Sequence, residues 1–292
     1  MKAYRSLSKL FKDQPLDTVF AHFYPLNGDY DQPFKIIAQN SWEGAAAWAF
    51  QQQRFKEKHA YTTVPKLRNY LNYTFVRAVE LEQTHPGQFF KSARNGEWIC
   101  FNTGLQTPHG SDLIATFQRY RQKPGAAPKV LPDWVYKGCY APNDRNYRDV
   151  FGDEFPDIVW YSTDSRDFVF DTSYRLDKDS FDHLFERAKE RAGLQHAPDE
   201  VVRNYLRGAL ENLVPKIKRS YKIAIPVYYV EEKRMQMLLP FHSANNLNDI
   251  SCFVVDRDDT GKAYRLKTIY DLDQAFFSAR LLTRPDKEWL NP

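Results

Sequence analysis

The sequence predicts an α+β protein, a largely antiparallel sheet flanked by helices in a single compact unit. Three observations lead there. Segments with helical spacing are interspersed with short β-branched and aromatic runs, without a regular β-α-β-α rhythm. Asn95-Gly96 stands between two apolar runs, and Asn-Gly supplies the positive φ angles of a tight hairpin. The chain of 292 residues is 42% apolar and 15% aromatic, which suffices for a substantial core and argues against disorder.

In chain order, residues 1–59 read as a lead-in carrying one helix, and residues 60–292 as the main α+β domain. Turn signals at Asn27-Gly28-Asp29 and Gln32-Pro33 make the start irregular. Asn40 offers an N-cap with Glu43 three residues on, and the Ala-rich segment that follows should be a helix with Trp42, Ala45, Trp48 and Ala49 on one face. A second helix starts with Thr63 as cap and Pro65 in its first turn. It presents Leu67, Tyr70, Leu71, Thr74, Phe75 and Ala78 on one side and stops before His85-Pro86-Gly87. Phe89 to Leu105 should form two strands around Arg94-Asn95-Gly96-Glu97.

Between Leu113 and Phe170, apolar runs at 113–120, 134–140, 158–161 and 168–170 read as short strands between loops, and Lys123 to Pro128 is the most linker-like segment. Helices follow over Ser180 to Ala192, closed by Gly193, and over Asp199 to Val214, with Pro215 kinking or ending the second. Ile223, Ile225 and Val227 alternate against Ala224, Pro226 and Tyr228 as in a strand with one buried face. Ser251 to Val255 and Lys262 to Ile269 should be strands around an Asp-rich turn. Asp271 caps a last helix with Leu272, Ala275, Phe276, Ala279 and Leu282 on one face.

A net charge of +4 is too small for a dedicated nucleic-acid domain, so any electrostatic footprint is a local patch. Three widely spaced cysteines argue against a disulfide framework and for a reducing, cytoplasmic setting. The start has no apolar run long enough for a signal peptide, and no membrane span is expected. Glycine-rich phosphate loops, Gly-x-Ser-x-Gly, His-Glu-x-x-His and paired-cysteine zinc spacings are all missing from the sequence. Asp256 to Gly261 resembles the front of a calcium loop, but Lys267 stands where a closing glutamate belongs, so it reads as a turn between strands. No cofactor and no metal site are expected on this basis.

The strongest sign of a ligand lies at Pro215 to Lys222, where Lys216, Lys218, Arg219 and Lys222 fall within seven residues. Cations at a helix C-terminus complement the helix dipole without any ligand. The interleaving of Lys218, Arg219, Ser220, Tyr221 and Lys222 adds hydroxyls for phosphate and a ring for base stacking. Tyr228 and Tyr229 add rings nearby, but on a strand they face opposite ways.

Four segments together resemble the bacterial family named domain of unknown function 3825, over about residues 61–292. They are Leu67-Arg68-Asn69-Tyr70-Leu71-Asn72-Tyr73-Thr74-Phe75, Cys100-Phe101-Asn102-Thr103-Gly104-Leu105, Lys218 to Lys222 running on to Tyr228-Tyr229, and Ala279-Arg280-Leu281-Leu282 with the closing Pro285 to Leu290. The resemblance implies a domain often joined to LOTUS-type or cold-shock RNA-binding modules, hence a role in RNA metabolism. It transfers no catalytic residue. Asn102, Thr103 and Gly104, following a strand, could form a turn that offers amide, hydroxyl and backbone N–H groups to phosphate, or simply a tight turn.

The leading expectation is therefore an RNA-binding protein whose basic face comprises Lys218, Arg219, Tyr221 and Lys222, helped by Arg68, Arg77 and Arg280. One alternative is a metal-assisted hydrolase acting on RNA ends or a nucleotide, with Asp249 or His242 as catalytic candidates and a divalent ion as its only cofactor. Another is a scaffold whose basic strand pairs with a protein partner.

Overall fold

The Asn95-Gly96 hairpin forms, and it opens the first of two sheets. Arg94, Asn95 and Gly96 take φ angles of 51°, 56° and 79°, and Ala93 pairs with Trp98 across the turn. The computed structural model describes residues 4–9, 15–26, 28–50, 56, 62–121, 132–177, 184–191, 194–242 and 250–283. The expected α+β architecture is present, with two mostly antiparallel five-stranded sheets. The chain divides into two compact units, Met1–Trp160 and Tyr161–Pro292.

In the first unit, strands β1 (Ala21–His22), β2 (Phe90–Ala93), β3 (Trp98–Gln106), β4 (Asp112–Arg119) and β5 (Trp134–Tyr140) lie in the order β1-β5-β4-β3-β2. The pairs are antiparallel except β1 with β5. Helices α1 (Gln32–Asn40), α2 (Gly44–Ala47) and α3 (Pro65–Thr84) precede the hairpin. The apolar spacing predicted for α3 is realised: Leu67, Tyr70, Leu71, Thr74, Phe75 and Ala78 are buried, and the helix ends before His85. Phe75 meets Phe20 at 4.7 Å, Phe90 at 5.9 Å and Phe101 at 5.5 Å, and Phe101 stacks on Phe117. A ring-built core follows, each buried side chain contributing about 1.5–3 kcal/mol.

The lead-in departs from expectation. Residues 32–40 form α1, because Pro33 occupies its first turn, where a missing N–H costs nothing. Asn40 is thus the last residue of a helix and not the cap of one. Gly44, at φ 72°, interrupts the helical path, leaving only the short α2. Trp48 is buried while Trp42 is 48% exposed, so the four residues expected on one face do not share it. Residues 51–55, 57 and 58 of that expected helix lie outside the described residues. Thr63 does not cap α3, whose N-cap is Val64. The buried Asp31 carboxylate instead accepts bonds from Thr62 Oγ1 at 2.6 Å, Thr63 N at 2.8 Å and Thr63 Oγ1 at 3.0 Å, tying the start of α1 to that of α3.

A further helix, α4 (Arg145–Phe151), was not expected. Asp144 caps it by accepting from the N–H of Asn146, and Tyr147 and Phe151 cover Cys100 and Ile114 on the sheet face away from Phe101. The strands expected at 158–161 and 168–170 are absent; Ser165–Phe168 is a short 3-10 turn capped by Asp164.

In the second unit, β6 (Arg175–Leu176), β7 (Ile225–Tyr229), β8 (Arg234–His242), β9 (Ile250–Asp258) and β10 (Ala263–Asp271) run in the order β6-β10-β9-β8-β7. Helix α5 (Phe185–Arg191) covers the described part of the helix expected to close at Gly193, which itself lies outside the described residues. Helix α6 (Asp199–Arg219) buries Val202, Leu206, Leu210, Leu213 and Ile217 at helical spacing against Met237, Leu239, Phe253 and Val255. Helix α7 (Leu272–Arg280), capped by Asp271 as predicted, packs Ala275 and Ala279 on the opposite side with Ile225, Val227, Leu238, Cys252 and Val254. The sheet is therefore covered on both faces, and the single buried face expected for residues 223–228 is corrected. Ala224 joins the α6 side, and Tyr228 is buried against the ring of Tyr161 at 4.7 Å. No helix of the described residues is long and apolar enough to cross a membrane.

Candidate nucleic-acid interface

The basic cluster is built by the end of α6. Pro215 neither ends nor breaks that helix, which continues one turn to Arg219 and corrects the expected boundary. Proline has no N–H to donate to the carbonyl one turn back, yet burial of Ile217 below it keeps the last turn in place. Ser220 closes the helix, its N–H donating to the Lys216 carbonyl at 3.0 Å, and Tyr221–Ile223 make a 3-10 turn. Ile217 and Ile223 pack on the core from either side. The intervening residues 218–222 are thereby all pushed to the surface.

Lys216, Lys218, Arg219 and Lys222 are exposed, and Tyr221 is 66% exposed. Lys216, Lys218 and Arg219 form no salt bridge to another described residue. The helix end carries about half a negative charge, which one cation offsets. The remaining positive charge is offered to solvent together with the tyrosine ring.

The other expected contacts do not join this surface. Arg280 belongs to the same unit but is 7% exposed within α7. Arg68 and Arg77 lie on α3 in the first unit. The Arg68 guanidinium stacks on Phe34 at 4.7 Å and donates to the Lys9 carbonyl. Arg77 donates to the Trp160 carbonyl and pairs with Glu80 at 3.2 Å. Both are engaged within their own unit.

Asn102, Thr103 and Gly104 do not form a turn after a strand. They lie inside β3, at a bulge where pairing with β4 shifts between Asn102 and Gln106. Asn102 donates to Asp112 at 3.0 Å, Thr103 donates to the Leu113 carbonyl at 2.6 Å, and Gly104 N donates to Asn102 Oδ1 at 3.0 Å. Asn102 and Thr103 are buried. Their polar groups are spent on holding the bulge, so they offer a phosphate little.

Of the catalytic candidates, His242 ends β8 exposed, with its carbonyl accepting from Tyr205 Oη. Asp249 lies outside the described residues. Asp256, read from sequence as the start of a turn between strands, lies instead within β9 and is buried, accepting from Gln236 at 2.6 Å and pairing with Arg234 at 2.6 Å and Lys267 at 3.4 Å. Asp258 stays with the turn, accepting from Gly261 N at 3.0 Å. Among the described residues no three carboxylate, histidine or cysteine side chains gather as a metal site would require. Burial pushes the Cys100 and Cys252 thiols up to about 12, which keeps them protonated and poor nucleophiles at neutral pH.

A cavity of about 280 Å³ also opens on the outer face of the first sheet, beside α4. Trp98, Thr116, Lys137 and Tyr140 of the strands and Asn146, Val150 and Phe151 of the helix line it. No sequence motif marks it, because its parts come from four separate stretches, β3, β4, β5 and α4. The aromatic residues Trp98, at the start of β3, and Tyr140, at the end of β5, were the available signal.

Residues 35–289 match the family model described as Domain of unknown function (DUF3825). No curated protein and no solved structure matches the chain.

Proposed function

This chain belongs to the DUF3825 family, and we propose that it binds RNA through the exposed run Lys218, Arg219, Tyr221 and Lys222. The observation that carries this reading is the run's position. The buried Ile217 and the half-buried Ile223 hold five consecutive residues out of the core, and the cations among them flank a ring that is 66% exposed. A ring left in solvent gives up apolar burial, and base stacking would supply it. Phosphates would meet Lys216, Lys218, Arg219 and Lys222 as point charges or guanidinium forks. In this reading the protein works in the cytoplasm, which suits its three free cysteines.

The test is binding of single-stranded RNA by fluorescence anisotropy across a salt series. Lys218→Ala/Arg219→Ala is expected to weaken binding about tenfold and to lower the salt slope by about 1 per cation removed. Tyr221→Ala should weaken it further, by about 1–3 kcal/mol, while Tyr221→Phe keeps the ring and the affinity. RNA affinity that is the same in the wild type and the double variant would overturn the reading.

A further inference from the structure

We infer that the cavity beside α4 is a pocket for one nucleobase, with the attached phosphodiester directed at Lys137. Its floor is the outer face of three neighbouring strands: Trp98 on β3, Thr116 on β4, and Tyr140 on β5. Bases are commonly bound on aromatic side chains of an antiparallel sheet face, because every base has a π surface. Trp98 and Tyr140 are half-buried: each packs on the Cys100, Ile114, Tyr147 and Phe151 cluster and also borders the open space. Tyr140 is fixed in place: its hydroxyl donates to the Lys137 carbonyl at 3.3 Å, and its ring lies against Gly138, where any side chain would collide with it. Burial of its ring and the charge of Asp144 raise its pKa, so that hydroxyl stays a donor through the neutral range.

Size and charge narrow the ligand. A volume of about 280 Å³ is at the lower limit of ligand pockets, about 300–1,000 Å³, and suits one ring system. On the bordering helix, Arg145 is paired with Asp149 and Arg148 with Asp153. Lys137 is exposed and pairs with no described carboxylate. Lys137 is the one cation among the lining residues, with the Arg94 guanidinium 5.9 Å from the Trp98 ring, and this modest charge matches a phosphodiester better than a triphosphate. Asn146, exposed at the rim, supplies an amide able to donate to and accept from a base edge.

The pocket rests on the RNA reading only for the source of its base, since a free mononucleotide carries the same chemistry. The experiment uses the full chain labelled with 5-fluorotryptophan, with the Trp98 resonance assigned by its loss in Trp98→Phe, and adds either AMP or a short oligoadenylate. A shift of that resonance with either ligand supports the pocket, and the arm that shifts identifies the source. No shift with either overturns it. In anisotropy, Trp98→Ala and Lys137→Glu are each expected to weaken oligoadenylate binding about tenfold, and Trp98→Phe to retain most of it. Oligoadenylate affinity unchanged in Trp98→Ala and Lys137→Glu but lost in Lys218→Ala/Arg219→Ala would overturn the pocket and leave the basic run standing. The converse result would overturn the basic run alone.

Discussion

At the scale of single residues, Gly104 shows how a motif that looks like a ligand loop can be architectural. It holds φ 71°, and a side chain there would bring its Cβ within 2.7 Å of the Tyr70 hydroxyl. Gly104→Ala is expected to destabilise the first unit by about 1–3 kcal/mol in urea unfolding, from strain at positive φ alone. Tyr70→Phe should recover only the part due to the close contact. The identity of these residues was plain in the sequence; their burial was not. Asn102 and Thr103 are as polar as any phosphate-binding pair, and only the fold shows their groups turned toward Asp112 and the Leu113 carbonyl. Lys218, Arg219, Tyr221 and Lys222 were legible for the opposite reason. Charge clustered next to a helix end requires exposure whatever the rest of the chain does.

Several elements with local signals were legible, although the end of α1 at Asn40 and the Asp144-capped α4 were not. The Asn-Gly hairpin, the apolar stripe of α3 and the Asp271 cap of α7 each depend on residues within a few positions of one another. Errors arose where a distant contact decides. Thr63 looked like a cap, but its hydroxyl is taken by Asp31, thirty-two positions away. Asp31→Ala is expected to cost about 1–3 kcal/mol, because it strands buried donors at the joint of α1 and α3. A thermal melt that did not move would show the joint to be held by packing alone. Pro215 looked like a terminator, yet burial of Ile217 beyond it favours one more turn. Strand β7 looked half-exposed because the groups that cover its two sides, Ala275 and Ala279 of α7 on Ile225 and Val227 and the Tyr161 ring on Tyr228, are remote in sequence.

For the whole molecule, the α+β class followed from the mixture of helical and strand spacings, whereas the division after Trp160 had no composition change to announce it. The linker-like Lys123 to Pro128 lies outside the described residues and well before that division. Each unit has its own sheet, and the second has helices packed on both faces of it. A fragment starting at Tyr161 is accordingly expected to fold alone, giving a mixed helix and strand circular dichroism spectrum and a cooperative melt. A non-cooperative melt would show that this unit needs the preceding one to complete its core.

The parallel pairing of β1 with β5 bears on how the protein is made. Ala21 meets Trp134, more than a hundred residues further along the chain. On the ribosome the amino-terminal strand emerges early, and its partner in the sheet, β5, follows only after the other three strands. The sheet is therefore expected to close from the hairpin outward, with the strand synthesised first able to join it only once β5 is in place.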